Sequence, residues 1–186
     1  VRTHAIFTAA ALVSSLAAAG VARADEPPLP PPSGLSLGGH VGLAIPIFTI
    51  ASSTTEIGNS FFSIGISSGV TLKLDPHWAF DFEMVAYNEF KATPSFTSFV
   101  VDPGVLYNFG SVVVGGRVAT KLGGGQTTNI GVVPLVVLPF KVSRQISYFV
   151  EADVPVWFSD KETGIPAGPT GVQPSVGLQF QTGVGF

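Results

Sequence analysis

Pro174-Ser175-Val176-Gly177-Leu178-Gln179-Phe180-Gln181-Thr182-Gly183-Val184-Gly185-Phe186 alternates almost without a break. Val176, Leu178, Phe180, Val184 and Phe186 share one parity, and Ser175, Gly177, Gln179, Gln181, Gly183 and Gly185 the other. A period of two marks an extended strand, whose successive side chains leave the pleated backbone on opposite faces. One face of this strand suits hydrocarbon, and the other is small and polar.

Seven more segments upstream read the same way: Leu35–Ile50, Ser60–Leu74, Trp78–Phe90, Ser98–Phe109, Ser111–Leu122, Ile130–Val142 and Ser147–Phe158. Their connections alternate in length. Asp75-Pro76-His77, Gly110 and Ser143–Ile146 are short, whereas Ala51–Asn59, Lys91–Thr97, Gly123–Asn129 and Ser159–Gln173 are longer. Short turns at one end and longer loops at the other are what a membrane barrel with periplasmic turns and extracellular loops shows.

Parity assigns the faces. In the third segment Trp78, Phe80, Phe82, Met84 and Ala86 oppose Asp81, Glu83 and Tyr87. In the second, Phe62, Ile64, Ile66, Val70 and Leu72 oppose Ser63, Gly65, Ser67, Gly69 and Lys73; in the first, Leu37, Val41, Leu43 and Ile45 oppose Gly38, His40, Gly42 and Ala44. The fifth sets Val112, Val114 and Val118 against Arg117 and Lys121, and the seventh sets Tyr148, Val150, Ala152 and Val154 against Glu151 and Asp153. The sixth is ambiguous, because Val133, Leu135 and Val137 make both of its faces apolar. Glycine repeatedly shares the charged face, as a narrow lumen holding bulky polar groups requires, and this favours a membrane barrel over a soluble sandwich. Pro46, Pro103, Pro134, Pro139 and Pro155 each remove a ladder donor and are expected at bulges or beyond the bilayer.

The remaining composition agrees. Arg2 and His4 precede an alanine-rich apolar run ending in Ala22-Arg23-Ala24, so residues 1–24 read as a cleaved secretory signal peptide. Removing them leaves seven basic against twelve acidic residues, a formal charge of −5. With no basic stripe to neutralise phosphates, no nucleic-acid partner is expected. Residues 25–34, Asp-Glu-Pro-Pro-Leu-Pro-Pro-Pro-Ser-Gly, read as an extended Pro-rich periplasmic segment. The chain has no cysteine, which removes disulfides and thiolate metal sites.

The strand ending on Phe186 resembles the C-terminal strand of bacterial outer-membrane barrels, and residues 35–186 as a whole resemble the small OmpA/OmpX-like type. The resemblance implies an all-β, eight-stranded antiparallel up-and-down transmembrane β-barrel, monomeric, in the outer membrane. It also implies Phe186 as an assembly signal for the outer-membrane assembly machinery, and outer-membrane lipids and lipopolysaccharide as neighbours. Trp78, Tyr107, Phe109, Phe140, Tyr148 and Phe186 stand at strand ends as an expected periplasmic aromatic girdle, with Phe62, Phe90, Phe99 and Phe158 at the other rim.

At comparable middle depth the inner face carries His40, Asp81, Glu83, Asp102, Arg117, Glu151, Asp153, Gln179 and Gln181, with Lys121 nearer the loops. An eight-stranded barrel is just wide enough for its side chains to fill it, so these groups should pair as a plug. Arg117 is the expected hub, since a guanidinium holds two carboxylates at once, and its loss is expected to admit small cations. No catalytic, cofactor or metal site is expected: His40 lies too deep, and His77 at the wrong end, to activate a loop serine such as Ser52 or Ser159. The expected function is a structural or surface-interaction role with a plugged lumen; the competing one is a narrow, porin-like channel for small solutes or cations, or a lateral route for small hydrophobic molecules.

Overall fold

The computed structural model describes residues 34–51, 54–57, 63–89, 96–123, 129–158 and 174–186. Residues 1–24, expected as a signal peptide, and residues 25–33, with Phe62, Phe90, Ser52 and Ser159, lie outside them.

Among the described residues ten strands form one sheet: β1 (Ser36–Ala51), β2 (Thr54–Ile57), β3 (Ser63–Lys73), β4 (Trp78–Glu89), β5 (Phe96–Asn108), β6 (Val113–Gly123), β7 (Asn129–Lys141), β8 (Ser147–Asp153), β9 (Val156–Trp157) and β10 (Ser175–Gly185). Neighbours in sequence pair antiparallel, and β1 pairs with β10 from His40↔Gly185 to Ala51↔Ser175, which closes the sheet. Two strands continue others. β2 and β3 both lie against β1, and β8 and β9 both lie between β7 and β10, so the wall has eight staves. This is an eight-stranded antiparallel transmembrane barrel.

The walls are inside out by the standard of a soluble protein. Leu37 is 74% exposed, Ile66 59% and Val118 55%, while Asp81 and Glu83 are 1% exposed and Arg117 3%. Apolar side chains outside and buried charges within fit a hydrocarbon surround and no aqueous one. In β7 the ambiguity resolves by burial: Ile130, Val132, Val136 and Leu138 face outward, and Val133 and Leu135 inward.

Glycine supplies the room that the lumen needs. A Cβ on Gly69 would stand 2.3 Å from the His40 ring, and one on Gly104 would stand 2.5 Å from Cγ of Arg117. Each of these large inward groups therefore lies over a neighbouring stave that has no side chain of its own.

Several boundaries differ from the sequence expectation. The stretch 51–59 expected as loop contains β2, which pairs with Phe48–Ala51; its Thr54, Thr55 and Ile57 are β-branched and favour extension. The expected segment Ser147–Phe158 breaks at Val154-Pro155, because proline cannot donate to the ladder. The break is bridged by Val154 N–H donating to Pro134 O at 3.0 Å and Gly177 N–H donating to Pro155 O at 2.8 Å. The β1–β10 register shifts between Pro46 and Phe48 as expected of a bulge, and the β5–β6 ladder skips Asp102 and Pro103, whereas Pro134 and Pro139, contrary to expectation, sit inside β7 in paired positions. β5 begins at Phe96 rather than Ser98, and β6 at Val113 rather than Ser111, since Ser111 belongs to the turn.

Three tight turns gather at one end of the barrel. At the first, Asp75 Oδ1 accepts from the backbone N–H of Trp78 and of His77, both at 2.7 Å. At the second, Gly110 adopts φ 98°, and Asn108 Oδ1 accepts its N–H at 2.7 Å. At the third, Ser143 Oγ accepts from the backbone N–H of Ile146 at 3.1 Å. Beside them Tyr107 stacks on His77 at 5.7 Å and meets Trp78 at 4.8 Å and Phe109 at 4.7 Å, edge-on; Phe140 lies 6.1 Å from Tyr148. Rings with an apolar body and a polar edge suit the headgroup zone. At the opposite rim, Phe99 and Phe158 are exposed on the outer face.

Two measurements follow from this wall. Val118 adjoins the mid-lumen Arg117 in sequence and faces out, so Val118→Arg should cost about 2–4 kcal/mol in urea unfolding from lipid vesicles. An unchanged midpoint would place β6 in the opposite register. The backbone donors of Trp78 and His77 hold the Asp75 carboxyl below its ordinary pKa. A depressed folded pKa gives stability that is complete above the unfolded value and is lost as pH falls through the folded one. The Asp75 carboxyl should therefore titrate below free aspartate by NMR, and a midpoint at the free value would show that the turn does not hold it.

Candidate functional site

The lumen is built in tiers from the short-turn end. A cavity of about 280 Å³ opens there, with Lys73, Lys141 and Arg144 around its mouth and His40, Asp81, Arg117 and Glu151 at its floor. Lys73 and Lys141 stand at the ends of β3 and β7, where strands leave the membrane, and all three mouth residues are exposed.

Above this floor lies the charged tier. Arg117 on β6 donates from Nη1 to Glu151 of β8 at 2.6 Å and to Glu83 of β4 at 3.3 Å. Its Nε and Nη2 take Asp81 Oδ2 at 3.0 and 2.9 Å, a two-pronged contact with a single oxygen. One guanidinium thus ties three staves across the barrel. The other Asp81 oxygen accepts from Thr71 Oγ1 at 2.6 Å. Glu83 Oε2 lies 2.9 Å from His40 Nε2 and accepts from Gln181 Nε2 at 2.7 Å, which brings β1 and β10 into the same network. Phe149, turned inward, meets the His40 ring edge-on at 5.8 Å.

Not every expected partner of Arg117 reaches it. Asp102 and Asp153 are buried but make no ion pair with it. Asp153 Oδ2 instead accepts from Gln179 Nε2 at 2.9 Å, and the Tyr87 hydroxyl donates to Gln179 Oε1. Oδ1 of Asp102, Oδ1 of Asp153, Oε1 of Gln181 and Oγ of Ser67 have no hydrogen-bond partner among the described residues. The lumen sets five buried Asp and Glu side chains against one guanidinium and one imidazole. Lys121 lies on β6 toward the loops, half-buried, and takes part in the interactions of that end.

A third tier was not foreseen. Ala44, Val85, Val100, Ala119 and Val133, each no more than 5% exposed, form an apolar cluster inside the barrel, with Tyr87 and Trp157 packed against it. Val85 lies further along its strand toward the loops than Glu83, Val100 than Asp102, Ala119 than Arg117 and Ala44 than His40, whereas Val133 stands opposite Arg117 in the β6–β7 ladder. Their parity signals an inward position, and so does that of Phe149 and Trp157, which share the phase of Glu151 and Asp153. Their apolar character points the other way.

Arg117 and its partners offer paired charge and no poised nucleophile. The His40 ring is taken up by Glu83 and Phe149. Among the described residues, no group of three or more His, Cys, Asp or Glu side chains is arranged to hold a metal ion.

The sequence matches no protein-family profile and no curated protein. Solved structures do resemble the fold. Neisserial surface protein A (NspA) superposes with a TM-score of 0.58 at 15% identity, over 82% of this chain and 98% of that one. Ail, the attachment invasion locus protein of Yersinia pestis, gives 0.48 at 12% identity, over 82% and 99%. With the closed wall and outward apolar face, the chain has the fold of the small eight-stranded outer-membrane β-barrels of OmpA/OmpX-like type.

Proposed function

We propose that this chain is an outer-membrane barrel with a structural or surface-interaction role, its lumen filled rather than conducting. The observation that carries this reading is the Arg117 network, which ties β4, β6 and β8 together across the interior, with His40 and Gln181 adding β1 and β10. A pore built to pass solutes keeps its axis clear; here the axis is occupied by paired side chains. The likeness to a neisserial surface protein supports a place in the outer membrane with the loops toward the cell surface. The tight turns then face the periplasm, and the aromatic groups of Trp78, Tyr107, Phe109, Phe140 and Tyr148 stand at the inner headgroup level.

Lipid and lipopolysaccharide are the partners that the apolar wall supports. Phe186 stands on that wall for assembly: its backbone exchanges hydrogen bonds with Gly39 at 2.8 and 2.9 Å, its ring lies over Gly39, and the residue is 66% exposed. Neither contact with a cell surface nor recognition of Phe186 needs an open lumen.

Purified protein refolded into planar bilayers should therefore show no steady conductance. Large, stable openings in the wild type would favour the channel instead, with cation preference because the lumen carboxylates outnumber its cations. The network itself is tested by stability. Arg117→Ala leaves Glu151 without its counter-charge and Asp81 and Glu83 with His40 alone, and should cost about 3–5 kcal/mol in urea unfolding from vesicles. Adding Asp81→Asn and Glu151→Gln to that variant should recover part of the loss, since the uncompensated charge is then gone. An Arg117→Ala barrel as stable as the parent would remove Arg117 as the hub.

A further inference from the structure

The apolar tier changes where the lumen is closed. Polar networks admit water readily, because each side chain that leaves can be replaced by a hydrogen-bonded water. An apolar constriction offers no such replacement: a hydrated ion entering it must shed water and finds nothing in exchange. In this barrel the two kinds of tier are stacked. The cavity of about 280 Å³ reaches inward from the short-turn end and stops at Asp81, Arg117 and Glu151. Ala44, Val85, Val100 and Ala119 lie beyond that floor on their strands, Val133 stands across the ladder from Arg117, and none of the five lines the cavity.

We propose that the barrier to ions and water is this apolar tier, and that the Arg117 network is the floor of a vestibule exchanging with periplasmic water. The proposal rests on the closed-lumen reading and names the element that closes it. Three features support it besides position. The cluster spans five strands, β1, β4, β5, β6 and β7, so it is a crossing of the lumen and not a patch on one wall. Gly65 lets it close up, since a Cβ there would stand 2.7 Å from Val85 Cγ1. Trp157 of β9, packed against the cluster with its ring over Gly131, carries the apolar surface round toward β10. Arg117→Ala, on this account, widens the vestibule without piercing the tier, contrary to what the sequence by itself suggests.

The test compares two perforations in planar bilayers, with folding of each variant checked by its heat-dependent migration on denaturing gels. Val85→Ser with Val100→Ser, which keeps Arg117, should produce stepwise openings absent from the wild type. Arg117→Ala should stay at the wild-type baseline. A folded Val85→Ser/Val100→Ser barrel that remains silent, or an Arg117→Ala barrel that conducts as well as it, overturns the proposal. Steady conductance of the wild type would instead remove the closed-lumen reading beneath it, a result visible before any variant is made. Labelling gives a second readout that leaves both tiers nearly intact, because the chain has no native cysteine. In proteoliposomes, Thr71→Cys on the vestibule wall should react with a quaternary-ammonium methanethiosulfonate reagent supplied from the short-turn side. Ala119→Cys in the apolar tier should react at least about tenfold more slowly from either side, as a site exposed only by local opening does. Equal rates at the two positions overturn the proposal.

Discussion

Hydrocarbon offers no hydrogen bonds, and that single deficit organises the molecule. Each unpaired backbone N–H or C=O facing lipid costs several kcal/mol, so a sheet in a membrane has to close on itself. The pairing of β1 with β10 accomplishes this along nearly the whole of both strands. Two of the prolines show how breaks in the wall are handled. Where Pro155 breaks the seventh stave, Val154 and Gly177 supply the bridging donors, and where Pro46 interrupts β1 the register slips and resumes. A soluble sheet tolerates a frayed edge with water; this one has no edge to fray.

Closure in turn sets what the lumen can hold. With eight staves the interior is about as wide as the side chains that fill it, and every inward group competes for the same volume. Glycine at Gly69 and Gly104 is the local answer, giving up one side chain so that His40 or Arg117 can lie across it. The chemistry of the lumen follows from the same crowding. A guanidinium reaches three carboxylates from one anchor, which a lysine ammonium on a flexible stem does less well. Of the carboxylates it does not reach, Asp153 has an amide partner on one oxygen and none on the other, and Asp102 Oδ1 has none among the described residues.

How much of this could be read from the chain depends on which physical signal carries each part. Strand existence, face and order were legible, because alternation in Trp78–Ala86 or Pro174–Phe186 reports burial directly when one face meets lipid and the other meets charge. Strand ends were less so. β2 hid in a Ser- and Thr-rich stretch that reads equally as loop, and the break at Val154-Pro155 hid in an apolar run. The charged half of the site was legible for the same reason as the faces: Asp81, Glu83, Arg117 and Glu151 are conspicuous on an otherwise small inner surface. The partnering of Arg117 was not, since Asp102 and Asp153 share its face and differ only in how strand tilt and side-chain reach place them. The apolar tier was the least legible. Val85 and Val100 look like lipid-facing residues in every respect but their phase, and alternation is blind where both faces of a strand are apolar, as in β7.

That blindness has a physical counterpart in the folded barrel. Lipid and a dry lumen impose the same demand on a side chain, so residues of one chemical kind line the outside of the wall and block its inside. The charged tier makes the difference between them. By anchoring the inner faces of β4, β6 and β8 to one another, Arg117 holds Val85 and Ala119 in phase with the lumen two residues further along their strands. A one-residue slip in either strand would exchange every inward residue with an outward one, placing Glu83 or Arg117 in hydrocarbon. The ion pairs therefore fix the register on which the apolar closure depends, and the cost of burying them is the cost of keeping those valines inside.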